Sequence, residues 1–280
     1  MKTLLGLIGA GIQRSLSPAL QEEEGRHHGL RVHYQLIDLD AAGVGTDALP
    51  GLISAARTMG FAGLNVTYPC KQLVMPLLDA LAEEAQAIGA VNTVVRDGRK
   101  LIGHNTDGSG WTWGLRRALP GADLSHVALI GAGGAGAACA DALLRLGAQR
   151  LSIVDQDAAR AAALADRLRR HFPRQASARA DLDTALRGAS GLVQATPMGM
   201  AKHPGSAVPE ELLRPSMWVS EVVYVPLETP LLKAARRAGC AVMDGGHMNV
   251  GQALGAFKLF TGLDADATRM DAHFRRLASA

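Results

Sequence analysis

Residues 127–136 read Val-Ala-Leu-Ile-Gly-Ala-Gly-Gly-Ala-Gly, an apolar run that stops on GxGxxG and passes straight into a helix-forming stretch. No other segment of the chain restricts its fold as tightly. Gly131 permits a tight turn, Gly133 lets a ligand come close to the backbone, and Gly136 lets the helix pack closely on the strand. Phosphates can then meet the free N–H groups at the helix N-terminus. The motif alone is weak, but here the next predicted strand, Leu151–Val154, ends on an acid. Asp155 lies about 20 residues beyond the glycines, as a dinucleotide fold requires. Gly131, Ala132, Gly133, Gly134 and Ala135 are therefore expected to hold a dinucleotide. The Asp155 carboxylate can accept hydrogen bonds from the ribose hydroxyls of NAD and repels the 2′-phosphate of NADP, so NAD is the expected cofactor and NADP the lesser alternative. Arg160, just downstream, is the one nearby cation able to offset that repulsion. Asp155 or Asp157 can also serve as N-cap of the next helix, which is compatible with ribose binding.

The rest of the chain alternates in the same way. Strands are expected at 4–8, 33–38, 63–67 and 91–96, with helices at 18–28, 49–59 and 71–88. A second series has strands at 127–130, 151–154, 192–196, 218–222 and 241–244, with helices at 136–146 and 158–171. This order implies an α/β protein with parallel sheets covered by helices. Three parts are expected: an N-terminal α/β substrate domain over 1–107, a Rossmann domain over 108–246, and C-terminal helices over 247–280 returning to the first domain. The crossing between domains is expected within 103–114.

Composition narrows the class. Hydrophobic residues make up 48% and charged residues 20%, enough for sizeable cores and against wholesale disorder. The net charge of +3 is spread among acids rather than gathered, so nucleic acid is not an expected partner. Three cysteines, Cys70, Cys139 and Cys240, are far apart and give neither a disulfide framework nor a zinc spacing. That usage fits a reducing, cytoplasmic compartment. No apolar run reaches the roughly 18 residues of a membrane span, and the apolar N-terminus reads as a buried strand. The adjacent His27 and His28 point different ways on a helix, and no metal is expected.

Three polar clusters interrupt the apolar pattern. Arg14-Ser15-Leu16-Ser17-Pro18 follows the first strand; Ser17 reads as an N-cap with proline at N1, which leaves Ser15 unexplained. Both hydroxyls can bind a substrate carboxylate at the sheet edge. Asn65-Val-Thr67-Tyr-Pro-Cys-Lys71 puts a lysine at the expected start of a helix, where the macrodipole disfavours it and function is the better reason for it. Asn92 and Thr93 add hydrogen-bonding groups. Gly103-His-Asn-Thr-Asp107-Gly carries a carboxylate. A lysine oriented by a carboxylate can exchange the hydroxyl proton that must move with a hydride.

Taken together, Ser15-Leu-Ser17, Asn65-Val-Thr67-x-Pro69-x-Lys71, Gly89-Ala-Val-Asn92-Thr93, Gly103-x-Asn105-Thr106-Asp107-Gly108 and Gly131-Ala-Gly-Gly-Ala135 resemble the shikimate dehydrogenase family. The likeness continues through Thr196-Pro-Met-Gly-Met200 and Tyr224-x-Pro226 to Gln252-Ala253 and Phe257-x-x-Phe260-Thr-Gly262. The opening stretch and Asp244-Gly-Gly-His-Met are similar to its NAD-using quinate/shikimate branch. The resemblance implies Lys71 and Asp107 as the catalytic pair, and Ser15, Ser17, Thr67, Asn92, Tyr224 and Gln252 around the substrate. It extends the cofactor contacts to Val222 and Gly245. It implies reversible oxidation of shikimate to 3-dehydroshikimate, with quinate as a second substrate and a monomer or homodimer as the assembly. A specialised enzyme acting on an amino-shikimate or another analogue, or using NADP, is the alternative. A nucleotide-binding regulator without chemistry is disfavoured, because both Lys71 and Asp107 are present. Three positions depart from the common pattern: Gln194 for the usual Asn, Glu221 for the usual Asp, and Cys70 for an aromatic. Cys70 reads as small and buried rather than redox-active.

Overall fold

The structure is a computed structural model that describes residues 2–279. The chain divides into two compact units, one running to Thr106 and resuming at Gln252, the other spanning Asp107–Gly251.

The first unit begins β1 (Lys2–Gly9), α1 (Ser17–His27), β2 (Arg31–Asp38), the single turn α2 (Leu39–Ala42), α3 (Leu49–Met59) and β3 (Gly63–Val66). β1 pairs in parallel with both β2 and β3, as the alternating pattern predicts. Beyond β3 the chain departs from the expectation. The helix predicted over 71–88 is not formed. Turns at 71–74 lead into a 3-10 turn at Met75–Leu77, then β4 (Ala80–Leu81), and only Glu83–Ile88 is helical (α4). Pro76 lacks the N–H that a helix interior needs and so breaks the run. β5 (Thr93–Asp97) and β6 (Lys100–His104) then form a hairpin, antiparallel to each other, with β5 antiparallel to β3. The two-residue turn Gly98-Arg99 closes it, with Gly98 at φ 58° in the first central position, where glycine is favoured. The sheet order is β2-β1-β3-β5-β6-β4, so this sheet is mixed rather than wholly parallel. Its core gathers Ile8, Leu49, Ile53, Leu64, Val66 and Val94. Cys70 is fully buried in that core, and burial pushes its thiol pKa up.

The second unit contains α5 (Asp107–Ala118), β7 (Val127–Ile130), α6 (Gly134–Arg145), β8 (Leu151–Val154), α7 (Ala158–Arg169), β9 (Ala176–Ala178), α8 (Leu182–Leu186), β10 (Gly191–Gln194), β11 (Trp218–Glu221), α9 (Pro230–Arg237) and β12 (Ala241–Met243). All six strands are parallel, in the order β12-β11-β10-β7-β8-β9. The order reverses between β7 and β10, the switch point at which doubly wound sheets bind ligands beyond their strand C-termini. Ala128, Ile130, Leu192, Val219, Leu231 and Leu232 fill one side of this sheet.

The chain ends in α10 (Gly245–Thr261) and α11 (Ala267–Ala278). Arg269 of α11 donates Nε to Glu24 Oε2 at 2.9 Å and Nη2 to Oε1 at 2.6 Å. Glu24 is only 2% exposed, so this bidentate pair fixes α11 against α1 of the first unit.

Candidate active site

In the first unit the polar clusters collect around the C-terminal ends of β1 and β3. Ser17 is not an N-cap. Leu16 holds that position without a side-chain bond, and Ser17 is the first residue of α1, with Pro18 in its first turn. Instead the two serines bond each other: Ser15 Oγ donates to Ser17 Oγ at 3.2 Å and accepts from Ser17 N–H at 3.3 Å. Thr67 lies just past β3, and its N–H donates to the carbonyl of Ile8. Lys71 sits in a turn, so the argument from an unfavourable helix start does not apply to it. Its carbonyl accepts from Val91 N–H at 2.8 Å, which ties the lysine turn to the segment before β5.

Asn92 is 3% exposed and its side chain is already engaged. Oδ1 accepts from Thr106 N–H at 2.8 Å and Thr93 Oγ1 at 2.9 Å, and Nδ2 donates to Thr106 Oγ1 at 3.0 Å. Asn65 extends this network, accepting from Tyr34 Oη at 2.7 Å and donating to Thr93 Oγ1 at 3.1 Å. The network orders the segment that ends at Thr106, directly before Asp107. Asp107 itself is 4% exposed and opens α5 in the second unit, while Gln252 is half-buried on α10.

One functional position gives no sequence signal. Asp38 at the end of β2 is 6% exposed and accepts four bonds: from the Gly11 and Ile12 N–H groups at 2.8 and 3.0 Å, Gln13 Nε2 at 3.0 Å and Asp40 N–H at 3.1 Å. Burial alone would raise its pKa, but the Gln13 amide and these backbone donors hold it below the usual carboxylate range. Ser15 N–H then donates to the Ile12 carbonyl, so the carboxylate anchors the loop that carries the serine pair.

In the second unit the glycine turn has the geometry its sequence requires. Gly131 has φ 101°, a conformation open to glycine. A Cβ on Gly136 would lie 1.9 Å from the Gly131 carbonyl oxygen, so the third glycine is needed for helix–turn packing. A Cβ on Gly133 would meet no protein atom within 4 Å. Internal packing therefore does not explain that glycine, whereas a ligand approaching the backbone does. Asp155 Oδ2 accepts from Ala132 N–H at 2.7 Å and Oδ1 from Asp157 N–H at 2.9 Å, which fixes the carboxylate beside the turn. Asp157, not Asp155, caps α7. Arg160 is exposed, and its Nε lies 3.5 Å from Asp157 Oδ2.

Gln194 and Glu221 close β10 and β11 as registered neighbours, and both are fully buried. Glu221 Oε1 accepts from Gln194 Nε2 at 3.1 Å and from the N–H groups of Val222 and Val223 at 2.8 and 2.9 Å. Oε2 accepts from Thr229 Oγ1 at 3.0 Å. Gly245 packs against the same turn: a Cβ there would lie 2.3 Å from the Val223 carbonyl oxygen. Val222 and Tyr224 are half-buried in this segment.

Burial raises the Glu221 pKa from an ordinary 4.5 to about 7 against the pull of its donors. A carboxyl with a raised folded-state pKa contributes stability that is fully present below its unfolded pKa and lost as pH rises through the folded value. At about 1.4 kcal/mol per unit, ionised Glu221 costs up to about 3 kcal/mol above pH 7. Glu221→Gln keeps an acceptor for the two amides and carries no charge. It is expected to raise Tm relative to wild type at pH 8.5, with the difference shrinking toward pH 5. A difference that stays flat across that range would contradict the assignment.

A doubly wound sheet with this glycine turn, an acid fixed beside it and a separate mixed-sheet unit bearing clustered polar side chains defines a pyridine-nucleotide-dependent oxidoreductase. The comparisons agree. The model of the shikimate dehydrogenase substrate-binding domain matches residues 7–94. A shikimate dehydrogenase (NADP+) from Streptomyces avermitilis is 56% identical, over 98% of this chain and 96% of that one. A quinate/shikimate dehydrogenase (NAD+) from Corynebacterium glutamicum is 46% identical, over 98% of each. The solved quinate dehydrogenase of Corynebacterium glutamicum in complex with NAD superimposes with a TM-score of 0.89 at 45% identity, covering 99% of this chain and all of that one. The chain belongs to the shikimate dehydrogenase family and is an NAD(P)-dependent oxidoreductase. Among the described residues, no helix is long and apolar enough to cross a membrane, and no group of three or more His, Cys, Asp or Glu side chains is placed to hold a metal.

Proposed function

We propose that this chain oxidises shikimate to 3-dehydroshikimate with NAD, reversibly, and acts more weakly on quinate. The anchored Asp155 carboxylate carries the cofactor half of this reading. Fixed by Ala132 and Asp157, it keeps lone pairs for ribose hydroxyls and sets a negative charge where NADP would bring a phosphate. Arg160 is drawn toward Asp157 and does little to offset that charge. The residues fit a dinucleotide, with the first-turn amides of α6 available to the pyrophosphate and open space over Gly133. The nucleotide, when bound, supplies the hydride acceptor.

The chain's own residues then divide the remaining work. Lys71 Nζ takes the proton from the reacting hydroxyl of the ring, and the Asp107 carboxylate orients that ammonium and stabilises its charge. Ser15 and Ser17 bind the ring carboxylate, and Thr67, Asn92, Tyr224 and Gln252 complete the substrate contacts. The site serves a small-molecule substrate, and a monomer or homodimer in the cytoplasm is the setting that fits.

The serine pair sets the choice of acid. Quinate adds a tertiary hydroxyl beside the carboxylate and has a saturated, bulkier ring. Ser17 leaves its hydroxyl close to the shikimate carboxylate, and threonine would add a methyl there. A methyl-sized change is worth about 1–3 kcal/mol, or roughly ten- to two-hundredfold in kcat/KM. Wild type is expected to prefer shikimate, and Ser17→Thr to change the shikimate-to-quinate ratio within that range. The measurement is kcat/KM for both acids with NAD in both proteins. A wild type that clearly prefers quinate would overturn this reading. Activity on neither acid would favour a specialised analogue such as an amino-shikimate.

A further inference from the structure

The buried Gln194–Glu221 pair is not used by the chemistry above, yet it holds the two loops that follow β10 and β11 at the sheet edge where the nucleotide is proposed to lie. We propose that Gln194 and Glu221 form a positioning latch that sets the nicotinamide side of the nucleotide site, separately from the adenosine side. This inference rests on the dinucleotide reading but not on the choice of substrate.

The sheet order locates the two sides. Asp155 follows β8, on one flank of the central strand β7, and marks the adenosine ribose. β10 and β11 lie on the other flank, and a dinucleotide crossing the switch point reaches over their C-terminal ends with its other half. Gln194 and Glu221 are the last residues of those two strands and stand in register. The loop after β10 is tied to Gln194, whose Nε2 donates to the Met198 carbonyl at 2.9 Å and whose Oε1 accepts from Thr196 N–H. The turn after β11 is tied to Glu221 through the Val222 and Val223 amides. The far end of the same loop joins through Thr229, which also caps α9 by accepting from Leu232 N–H at 3.3 Å. The 3.1 Å bond between Gln194 and Glu221 is the link that makes these separate loops one unit. Without it, each loop keeps its own strand but loses its fixed distance from the other. Loops that hold a reacting ring must be placed closely, and a displacement of about 1 Å can cost a hundredfold in rate. By contrast, the Asp155 carboxylate accepts from the Ala132 and Asp157 amides on the other flank of β7.

The test compares NAD with ADP-ribose, which has the adenosine and pyrophosphate but no nicotinamide. Both are titrated calorimetrically into wild type, Gln194→Met, Glu221→Leu and Glu221→Gln, with Tm recorded for each. NADP is titrated into wild type first, so that a wrong choice of nucleotide shows there and not in the variants; if NADP binds better, NADP and its 2′-phosphorylated ADP-ribose replace the pair. Gln194→Met keeps volume and removes every bond its amide makes, so it carries the test if Glu221→Leu does not fold. Gln194→Met is expected to weaken NAD about tenfold while ADP-ribose changes by less than about twofold, against a scale of tenfold per 1.4 kcal/mol. Glu221→Gln, which retains an acceptor oxygen for the amides, is expected to lose less than Glu221→Leu. Equal losses for both ligands would reduce the pair to general stability, and unchanged NAD affinity in Gln194→Met would also overturn the proposal. None of these readouts needs shikimate to turn over.

Discussion

Replacing Lys71 by alanine is expected to lower turnover about a hundred- to ten-thousandfold while leaving the fold and NAD affinity nearly intact. Lys71 lies in an irregular turn held through its carbonyl by Val91, so truncating its side chain leaves that backbone bond in place. The loss would appear in kcat rather than in Tm. Asp107→Asn is expected to be severely impaired as well, because the amide keeps the shape at this buried position but loses the charge proposed to orient the ammonium. Residues that act as a unit are non-additive, so the double variant should be little worse than the poorer single one. Near-normal turnover in Lys71→Ala would remove the lysine from the mechanism.

Asp155→Ser is the second large change. On the proposed reading it removes the acceptor for ribose hydroxyls and the negative charge facing a 2′-phosphate at once. Hydrogen bonds to a charged group contribute about 1.5–3 kcal/mol, so the ratio of kcat/KM for NAD over NADP should fall roughly ten- to hundredfold. Part of any loss with NAD will come from the turn itself, since Asp155 also accepts from Ala132. The ratio between cofactors corrects for that, because both use the same turn. The point is sharp because a relative 56% identical is a shikimate dehydrogenase (NADP+) while Corynebacterium relatives use NAD+ in their names. A wild type that already prefers NADP would refute the carboxylate argument and turn attention to Arg160.

Much of the second unit was legible because its signals are local. The glycine turn, the strand before it and the acid after the next strand all lie within one stretch whose spacing has a single structural reading. The strands β7, β8, β10, β11 and β12 were expected within a residue or two of where they stand, while the short β9 and α8 carried too little pattern to register. The first unit was less legible. Apolar periodicity over 71–88 suits a helix, but Pro76 interrupts it and only Glu83–Ile88 is helical. The antiparallel half of the sheet depends on the short Gly98-Arg99 turn between two strands, which the alternating pattern does not register.

The site divides along the same line. Ser15, Ser17, Thr67, Lys71, Asn92 and Asp107 stood out as polar groups where apolar ones were expected. The cap assigned to Ser17 was wrong because cap geometry depends on where the helix starts, and Leu16 takes that position. Asp38 and the Gln194–Glu221 pair could not be found from local pattern. Asp38 acts on a loop more than twenty residues earlier, and Gln194 meets Glu221 across 27 positions of sequence. Gln194 and Glu221 were noticed only as departures from a family pattern, and their contact depends on strand register that no single segment encodes.

The central claim is oxidation of a ring alcohol with NAD, and absorbance at the NADH band tests it most directly. The purified protein is mixed with NAD and shikimate, with NAD and quinate, and with NAD alone, and the same three mixtures are run with NADP. The account predicts the fastest rise with shikimate and NAD, a weaker one with quinate, and none without substrate. No substrate-dependent rise with either acid and either nucleotide would contradict it.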